Sequence, residues 1–341
     1  MKKIALITGI SGQDGSYLAN FLLKKNYKVI GTDRRSSRDD RWRLRYFGIE
    51  NKIIIEDMDL SEITQMIRVF NKYKINEVYN LGAQSFVGTS FSNPVTTCDI
   101  TGMGCLRLLE VIRSLKYKLN FYQASSSEMF GEVLETPQTE KTPFNPRSPY
   151  AIAKIFSHYI CTNYREAYKM FIVSGICFNH ESPLRGEEFV TRKITSSLAK
   201  IEHGHIKYFE LGNIFAKRDW GFAGDYVEGM WKSLQVSKPD DYIFSTNVTK
   251  SIKEFIDESV KYLSFKTYWD FKKGKMQLYK KGSSIPIIRI NARYYRPTEV
   301  NKLTGSNKKA KKKLNWKPRV NFKDLAKMMM QEDLKRFQNN Y

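Results

Sequence analysis

The chain has 341 residues, 41% of them apolar and 13% aromatic, which excludes a disordered protein and leaves length enough for a substantial core. The net charge of +22 is the one outlier, but the basic residues are dispersed apart from Lys308 to Lys313 and the Lys272 to Lys281 region. No helix-turn-helix, RNP or zinc-finger spacing occurs, no apolar run approaches the roughly 18 residues that span a bilayer, and KKIALITGI is too short to be a signal peptide. The expectation is a cytoplasmic protein with no nucleic-acid and no membrane partner. Cys98, Cys105, Cys161 and Cys177 show no metal-ligand spacing and fall inside predicted elements, so buried free thiols and no metal site are expected.

Ile4 to Thr8 reads as a short buried strand that runs into Gly9, Gly12 and Gly15 and then a helix, Ser16 to Lys25. Glycines at such a turn let the backbone approach a pyrophosphate, and the helix start offers free amides and partial positive charge. A second strand, Lys28 to Thr32, ends in Asp33, Arg34, Arg35, Ser36 and Ser37. An acid there suits the ribose of NAD, whereas arginines and hydroxyls suit the 2′-phosphate of NADP. NADP is favoured, with NAD left open by Asp33.

Lys52 to Ile55 is the next strand, with Asp57, Asp59 and Leu60 at its end as an edge for the adenine. Helix Ser61 to Lys74, strand Glu77 to Leu81 with Ala83 and Ser85 just beyond, helix Asp99 to Leu115 and strand Asn120 to Ala124 follow. This alternation predicts an α/β fold with a doubly wound parallel sheet (Rossmann) and ligands beyond the strand carboxyl ends. There the chain places Ser125, Ser126, Ser127 and Glu128.

After a proline-containing bridge, Ser148 and Pro149 read as an N-cap and a first-turn proline, so a helix begins beside Tyr150. Lys154 lies one turn on, and its ammonium is expected to favour the ionised phenol. Together with Glu128 this makes an acid/base set.

Strand Phe171 to Phe178 ends in Asn179, His180, Glu181, Ser182 and Pro183. Beyond it the alternation loosens, and Arg185, Arg192, Lys193, Lys217 and Arg218 stand among glycines and aromatics, a set suited to a nucleoside diphosphate with a stacked base. The expected division is a cofactor domain over 1–180 and a smaller mixed α/β C-terminal substrate lobe over 181–341. Segments near 225–246 and 287–290 are expected to return to the first domain. A C-terminal amphipathic helix, Phe322 to about Phe337, should pack Met328 to Met330 in a core.

The motifs TGISGQDGSYLA, QASSSEMFGEV, PRSPYAIAK, FNHESPLRG, LGNIFAKRDWG and YYRPTEV together resemble the GDP-mannose 4,6-dehydratases, which are extended short-chain dehydrogenase/reductases. The resemblance spans nearly the whole chain and is weakest at Ser264 to Ser284. It implies NADP, a GDP-sugar substrate, a homodimer or homotetramer with the RRSS loop near a subunit interface, and a dehydration with no net redox change. Tyr150 would act at the C4 hydroxyl, Lys154 would hold the cofactor ribose and lower the phenol pKa, and Glu128 would take the C5 proton. Ser126 stands where the family usually has threonine.

By the same resemblance, Gly9, Gly12, Gln13, Asp14, Gly15, Arg34, Arg35, Ser36, Asp59, Leu60, Leu81, Ala83, His180 and Arg185 fall at cofactor positions. Ser85, Asn179, Val190, Lys193, Arg218, Arg296 and Glu299 would hold the substrate. The chain departs from the pattern at Asp33, at Gly82 in place of alanine, and at Phe215 and Phe222 in place of aspartate and histidine. The phenylalanines open GDP-manno-heptose as an alternative substrate. An epimerase or reductase on this scaffold would not need the Glu128 carboxylate, and a non-catalytic NADP-binding protein would not need the acid/base set.

Overall fold

The computed structural model describes residues 2–37, 39–272, 275–295 and 303–338. Its strands are β1 (Ile4–Thr8), β2 (Lys28–Asp33), β3 (Ile54–Asp57), β4 (Glu77–Asn80), β5 (Asn120–Ser126), β6 (Phe171–Cys177) and β7 (Asn179–Glu181). They continue as β8 (Phe209–Leu211), β9 (Lys217–Phe222), β10 (Asp241–Phe244), β11 (Thr249–Ser251), β12 (Thr267–Lys272), β13 (Lys275–Lys280) and β14 (Pro286–Ile290). Seven form one sheet in the order β10-β6-β5-β4-β1-β2-β3, and every pairing in it is parallel.

The near-continuous apolar runs are explained by burial on both faces. Successive residues point to opposite sides, so Tyr79 and Tyr122 join a core with Leu18, Leu22 and Met230, while Val78 and Phe121 join one with Met66, Val69 and Leu108. Helices Gln13–Lys24 and Ala223–Ser233 cover the first face; Ile63–Lys72, Gly104–Arg113 and Pro149–Ala167 cover the second.

The single helix expected over Asp99 to Leu115 is instead a longer broken run. It comprises Val87–Ser92, Pro94–Cys98, a wide turn at Asp99–Met103 and Gly104–Arg113. Pro94 starts a new segment, and a Cβ on Gly104 would lie 2.8 Å from Leu60 Cβ, so glycine permits the helix to approach that residue. Cys98, expected to be buried, is exposed on the short second segment, while the other three thiols are buried.

Two further sheets, β11-β9-β7 and β12-β13-β14-β8, build the second lobe with helices Val190–Glu202, Ile252–Ser259 and Phe322–Gln338. Their core joins Ile194, Leu198, Phe255, Ile288, Met329 and Met330; Met328 is half-buried. The chain returns to the main sheet at β10, within the expected 225–246. It does not return near 287–290: β14 pairs with β8 and β13, where Ile288 lies opposite both Phe209 and Leu278 in the second lobe's core.

The C-terminal segment is held to the first lobe by Trp316. Its ring meets Tyr226 and Phe244, and its indole N–H donates to the Asp225 carbonyl at 2.7 Å. Trp316→Ala is expected to destabilise the protein by about 3–5 kcal/mol through the cavity left behind, measured as a lowered urea midpoint; a change below about 1 kcal/mol would contradict this packing role.

Candidate active site

β5 ends at Ser126, whose hydroxyl accepts from the Glu128 N–H at 3.2 Å and caps a single turn over Ser127–Phe130. Gly131 then takes φ +53, and a Cβ there would overlap the Asn145 carbonyl, so this turn requires glycine. The tight turn holds Glu128 beside the strand end. On the neighbouring helix Pro149–Ala167, the Ser148 hydroxyl accepts from the Ala151 N–H at 3.1 Å and Pro149 occupies the first turn, as expected. Tyr150 and Lys154 consequently face β5.

The electrostatics differ from the expectation. Burial pushes the Tyr150 phenol well above its ordinary pKa of 10, and the hydrogen bond with Ser126 opposes the rise. The Lys154 ammonium is 5.8 Å from the Tyr150 ring centroid and donates to the Ala124 carbonyl at 2.7 Å. Burial brings its pKa down to about 8. Lys154 is thus anchored to β5, and desolvation, not a neighbouring cation, dominates the phenol.

These groups line a cavity of about 590 Å³ at the carboxyl edge of the main sheet. Gly9, Gly12, Gln13, Asp14, Gly15, Leu81, Ala83, His180 and Arg185 share its wall with Ser126, Glu128, Tyr150 and Lys154. From the substrate set, Ser85, Asn179, Val190, Lys193 and Arg218 are also present. Arg34, Arg35, Ser36, Asp59 and Leu60 are not on the wall: the first three are exposed beyond β2, Asp59 accepts from the Ser61 N–H and hydroxyl, and Leu60 is in the core. Arg296 and Glu299 lie outside the described residues.

Two cations of the loose C-terminal group face elsewhere. Arg192 is buried in an ion pair with Asp333, Nε to Oδ2 at 2.8 Å, which ties two helices together, and Lys217 is exposed. Phe215 is 59% exposed, and Phe222 packs edge-on against Tyr17; neither lines the cavity. The reason for suspecting a different sugar therefore has no contact with the site.

Sequence reasoning passed over several wall residues. Phe86 and Phe189 meet edge to face at 5.7 Å, with the Arg185 guanidinium 3.6 Å from the Phe189 ring centroid. Lys193 lies over the Tyr294 ring at 4.1 Å. Phe189 and Tyr294 sit within or beside quoted motifs, but aromatic residues carry no periodic signal that marks them as lining.

The site has the features that hold a dinucleotide. A Cβ on Gly15 would lie 2.4 Å from the Gly9 carbonyl oxygen, and Gly9 adopts φ +68, so only glycines close this turn over the start of helix Gln13–Lys24. Asn179 Oδ1 is buried, with no hydrogen-bond partner, on the same wall. Among the described residues no cluster of three or more His, Cys, Asp and Glu could hold a metal.

A glycine turn after β1, a tyrosine and lysine four apart at a helix start, and a second lobe closing over the sheet's carboxyl edge define an extended short-chain dehydrogenase/reductase. The family model described as GDP-mannose 4,6 dehydratase matches residues 6–329, and the chain belongs to that family. A Homo sapiens GDP-mannose 4,6 dehydratase is 46% identical over 347 residues, covering 99% of this chain and 93% of the relative. Among solved structures, dTDP-glucose 4,6-dehydratase from Bacillus anthracis in complex with NAD superposes with a TM-score of 0.79 at 19% identity, covering 99% of this chain and 97% of that one. RMD from Pseudomonas aeruginosa complexed with NADPH gives 0.76 at 20% identity, covering 98% and 99%. At these identities the two structures establish the fold alone.

Beside the glycine turn, His180 Nε2 lies 2.7 Å from Asp14 Oδ2, and the ring stacks on Tyr226 at 4.7 Å. Burial disfavours the histidine cation, but Asp14 outweighs it and raises the pKa above 6.5. Burial likewise disfavours the carboxylate, and His180 outweighs it, holding Asp14 at about 2. A raised histidine stabilises the fold below its unfolded pKa of about 6.5 and ceases to do so as pH climbs through the folded value; a depressed carboxylate stabilises above about 4 and loses its contribution as pH falls toward 2. Wild-type melting temperature should therefore decline from pH 6.5 upward relative to His180→Gln, and parallel profiles would show that the pair is not charged.

Proposed function

We propose that this protein is a 4,6-dehydratase converting GDP-mannose to GDP-4-keto-6-deoxymannose. The observation that carries the reading is Glu128 on the same wall as Tyr150 and Lys154, because transfer at C4 alone needs no base beside C5. Membership of the GDP-mannose 4,6-dehydratase family supports the same substrate. An epimerase or reductase on this fold has no use for that carboxylate, and GDP-manno-heptose has no residue of the cavity in its favour.

Gly9, Gly12 and Gly15 would hold a pyrophosphate against the helix start, with Gln13, Asp14, Leu81, Ala83, His180 and Arg185 around it. The cofactor is read as NADP. Asp33 accepts hydrogen bonds from the Ser11 side chain and backbone and is raised in pKa by burial, so its carboxylate is engaged within the turn. Arg34 and Arg35 are left as the exposed charges beyond β2, suited to a 2′-phosphate. A bound nicotinamide supplies reversible hydride exchange, the chemistry that a dehydration without net redox change draws on.

Tyr150 moves the proton at the C4 hydroxyl, with Ser126 hydrogen-bonded to the phenol. Once C4 is a carbonyl the C5 proton is acidic, and Glu128 removes it. The same carboxyl protonates the departing C6 hydroxyl, which leaves as water, and the 4-keto-6-deoxy product would be completed by return to C6 of the hydride lost from C4 and by a solvent-derived proton at C5. Lys154, fixed on Ala124, supplies positive charge and a donor to the ribose. Ser85, Asn179, Val190, Lys193 and Arg218 would hold the GDP-sugar, and Arg296 and Glu299 are kept in that set.

The protein is further read as a cytoplasmic homodimer or homotetramer. On helix Pro149–Ala167, Ile152, Phe156 and Tyr159 are exposed at 55%, 40% and 57%, an apolar stripe that a second copy would cover. Light scattering at micromolar concentration should return a dimer or tetramer, and a monomer would refute this.

Incubation with GDP-mannose and GDP-manno-heptose separately should give the 4-keto-6-deoxy product from the former in preference. Tyr150→Phe should retain GDP binding while turnover falls by at least about 100-fold. Glu128→Gln should lose solvent-deuterium incorporation at C5. Normal incorporation in that variant would remove Glu128 from its role, and failure to turn over GDP-mannose would overturn the substrate.

A further inference from the structure

The basic residues that are dispersed along the chain converge in space. Because all seven strands of the main sheet are parallel, every connector entering a strand lies on the amino edge, away from the cavity. The segments 2–3, 24–28, 50–53, 72–77, 113–120, 165–171 and 232–241, which lead into the seven strands and in five cases include the strand's first residue, hold fifteen Lys and Arg against five Asp and Glu. One of the five, Glu77, is buried.

Part of this excess has a local cause. Helices end on this edge, and a cation in the last turn meets the negative end of the helix dipole. Lys24, Lys72, Arg113, Arg165 and Lys232 are in such last turns. Ten remain in the connectors or at a strand's first residue: Lys2 and Lys3 before β1, Lys25 before β2 and Lys28 opening it, Lys52 before β3, Lys74 before β4, Lys116 and Lys118 before β5, Lys169 before β6, and Lys238 before β10. All ten are exposed, and Lys3 alone among them has a carboxylate partner, Glu77 at 3.1 Å, among the described residues.

We propose that this amino edge is a docking surface for an anionic lipid bilayer. Each of the seven strands is preceded by at least one of these lysines, so the charge spreads over a face about 30 Å wide at about 4.8 Å per strand. All ten are lysine, whose ammonium is a point charge answering a diffuse surface potential; recognition of individual nucleic-acid phosphates draws on the arginine fork, and the two arginines here are engaged by Glu110 and Asp241. Docking by this edge turns the cavity toward solvent, where a soluble substrate enters. Among the described residues no helix is long and apolar enough to cross a membrane, so the attachment is electrostatic and reversible.

The test is co-sedimentation of the full chain with phosphatidylcholine vesicles containing or lacking about 30% phosphatidylserine, at low and at high salt. The wild type should partition onto anionic vesicles only, and release at high salt. A variant carrying Lys2→Gln, Lys74→Gln, Lys116→Gln, Lys118→Gln and Lys169→Gln should bind at least about tenfold more weakly with unchanged turnover. A charge-matched control carries Lys207→Gln, Lys261→Gln, Lys266→Gln, Lys281→Gln and Lys323→Gln and should bind like the wild type. No binding at low salt, equal loss in both variants, or tighter binding to a short DNA duplex than to vesicles would each overturn the proposal.

Discussion

The parallel direction of all seven strands in the main sheet is the constraint on which the rest depends. It sends each strand-to-helix turn to one edge and each helix-to-strand connector to the other. The first edge receives the glycine turn, the Ser126–Glu128 turn and the Asn179–Glu181 strand, and these converge because β1, β5 and β6 are close neighbours in the sheet. Close approach at Gly15 and at Gly104 then lets helices pack tightly enough for the cavity walls to meet.

Within that cavity, burial sets the direction for both Tyr150 and Lys154. It raises the Tyr150 phenol and lowers the Lys154 ammonium, which keeps both in their neutral forms more readily than water would. The fold tolerates these groups because each has a fixed partner: Ser126 for the phenol and the Ala124 carbonyl for the ammonium. His180 and Asp14 solve the same problem as a charged pair, each holding the other ionised against desolvation. Buried groups with fixed partners favour proton transfers between placed groups over exchange with bulk water.

The main sheet and the gathering of Glu128, Tyr150 and Lys154 at its carboxyl edge were legible because both rest on local rules. Near-continuous apolar runs mark strands buried on both faces, and Ser148–Pro149 marks a helix start, which fixes where Tyr150 and Lys154 stand. What was not legible depends on contacts between distant segments. Nothing local in Ile287–Ile290 says that it pairs with Phe209–Leu211 in preference to the main sheet, and nothing in Arg192 reveals Asp333, 141 residues away, as its partner. The broken run from Val87 to Arg113 is intermediate: Pro94 announces one break, but the close approach of Gly104 to Leu60 just after the wide turn at Asp99–Met103 is a contact between distant segments.

The two phenylalanines show how a motif departure should be weighed. Phe215 precedes and Phe222 ends a strand whose inner residues, Arg218 and Trp220, do line the cavity, so in sequence they look like part of the site. In space Phe222, at the end of the strand, packs edge-on against Tyr17, and Phe215, before the strand begins, is largely in solvent. A substitution can alter sugar selection only through groups that reach the sugar or the backbone that holds it. Ser85, Asn179, Lys193 and Arg218 do line the wall, and they carry more weight for the sugar than two side chains that do not.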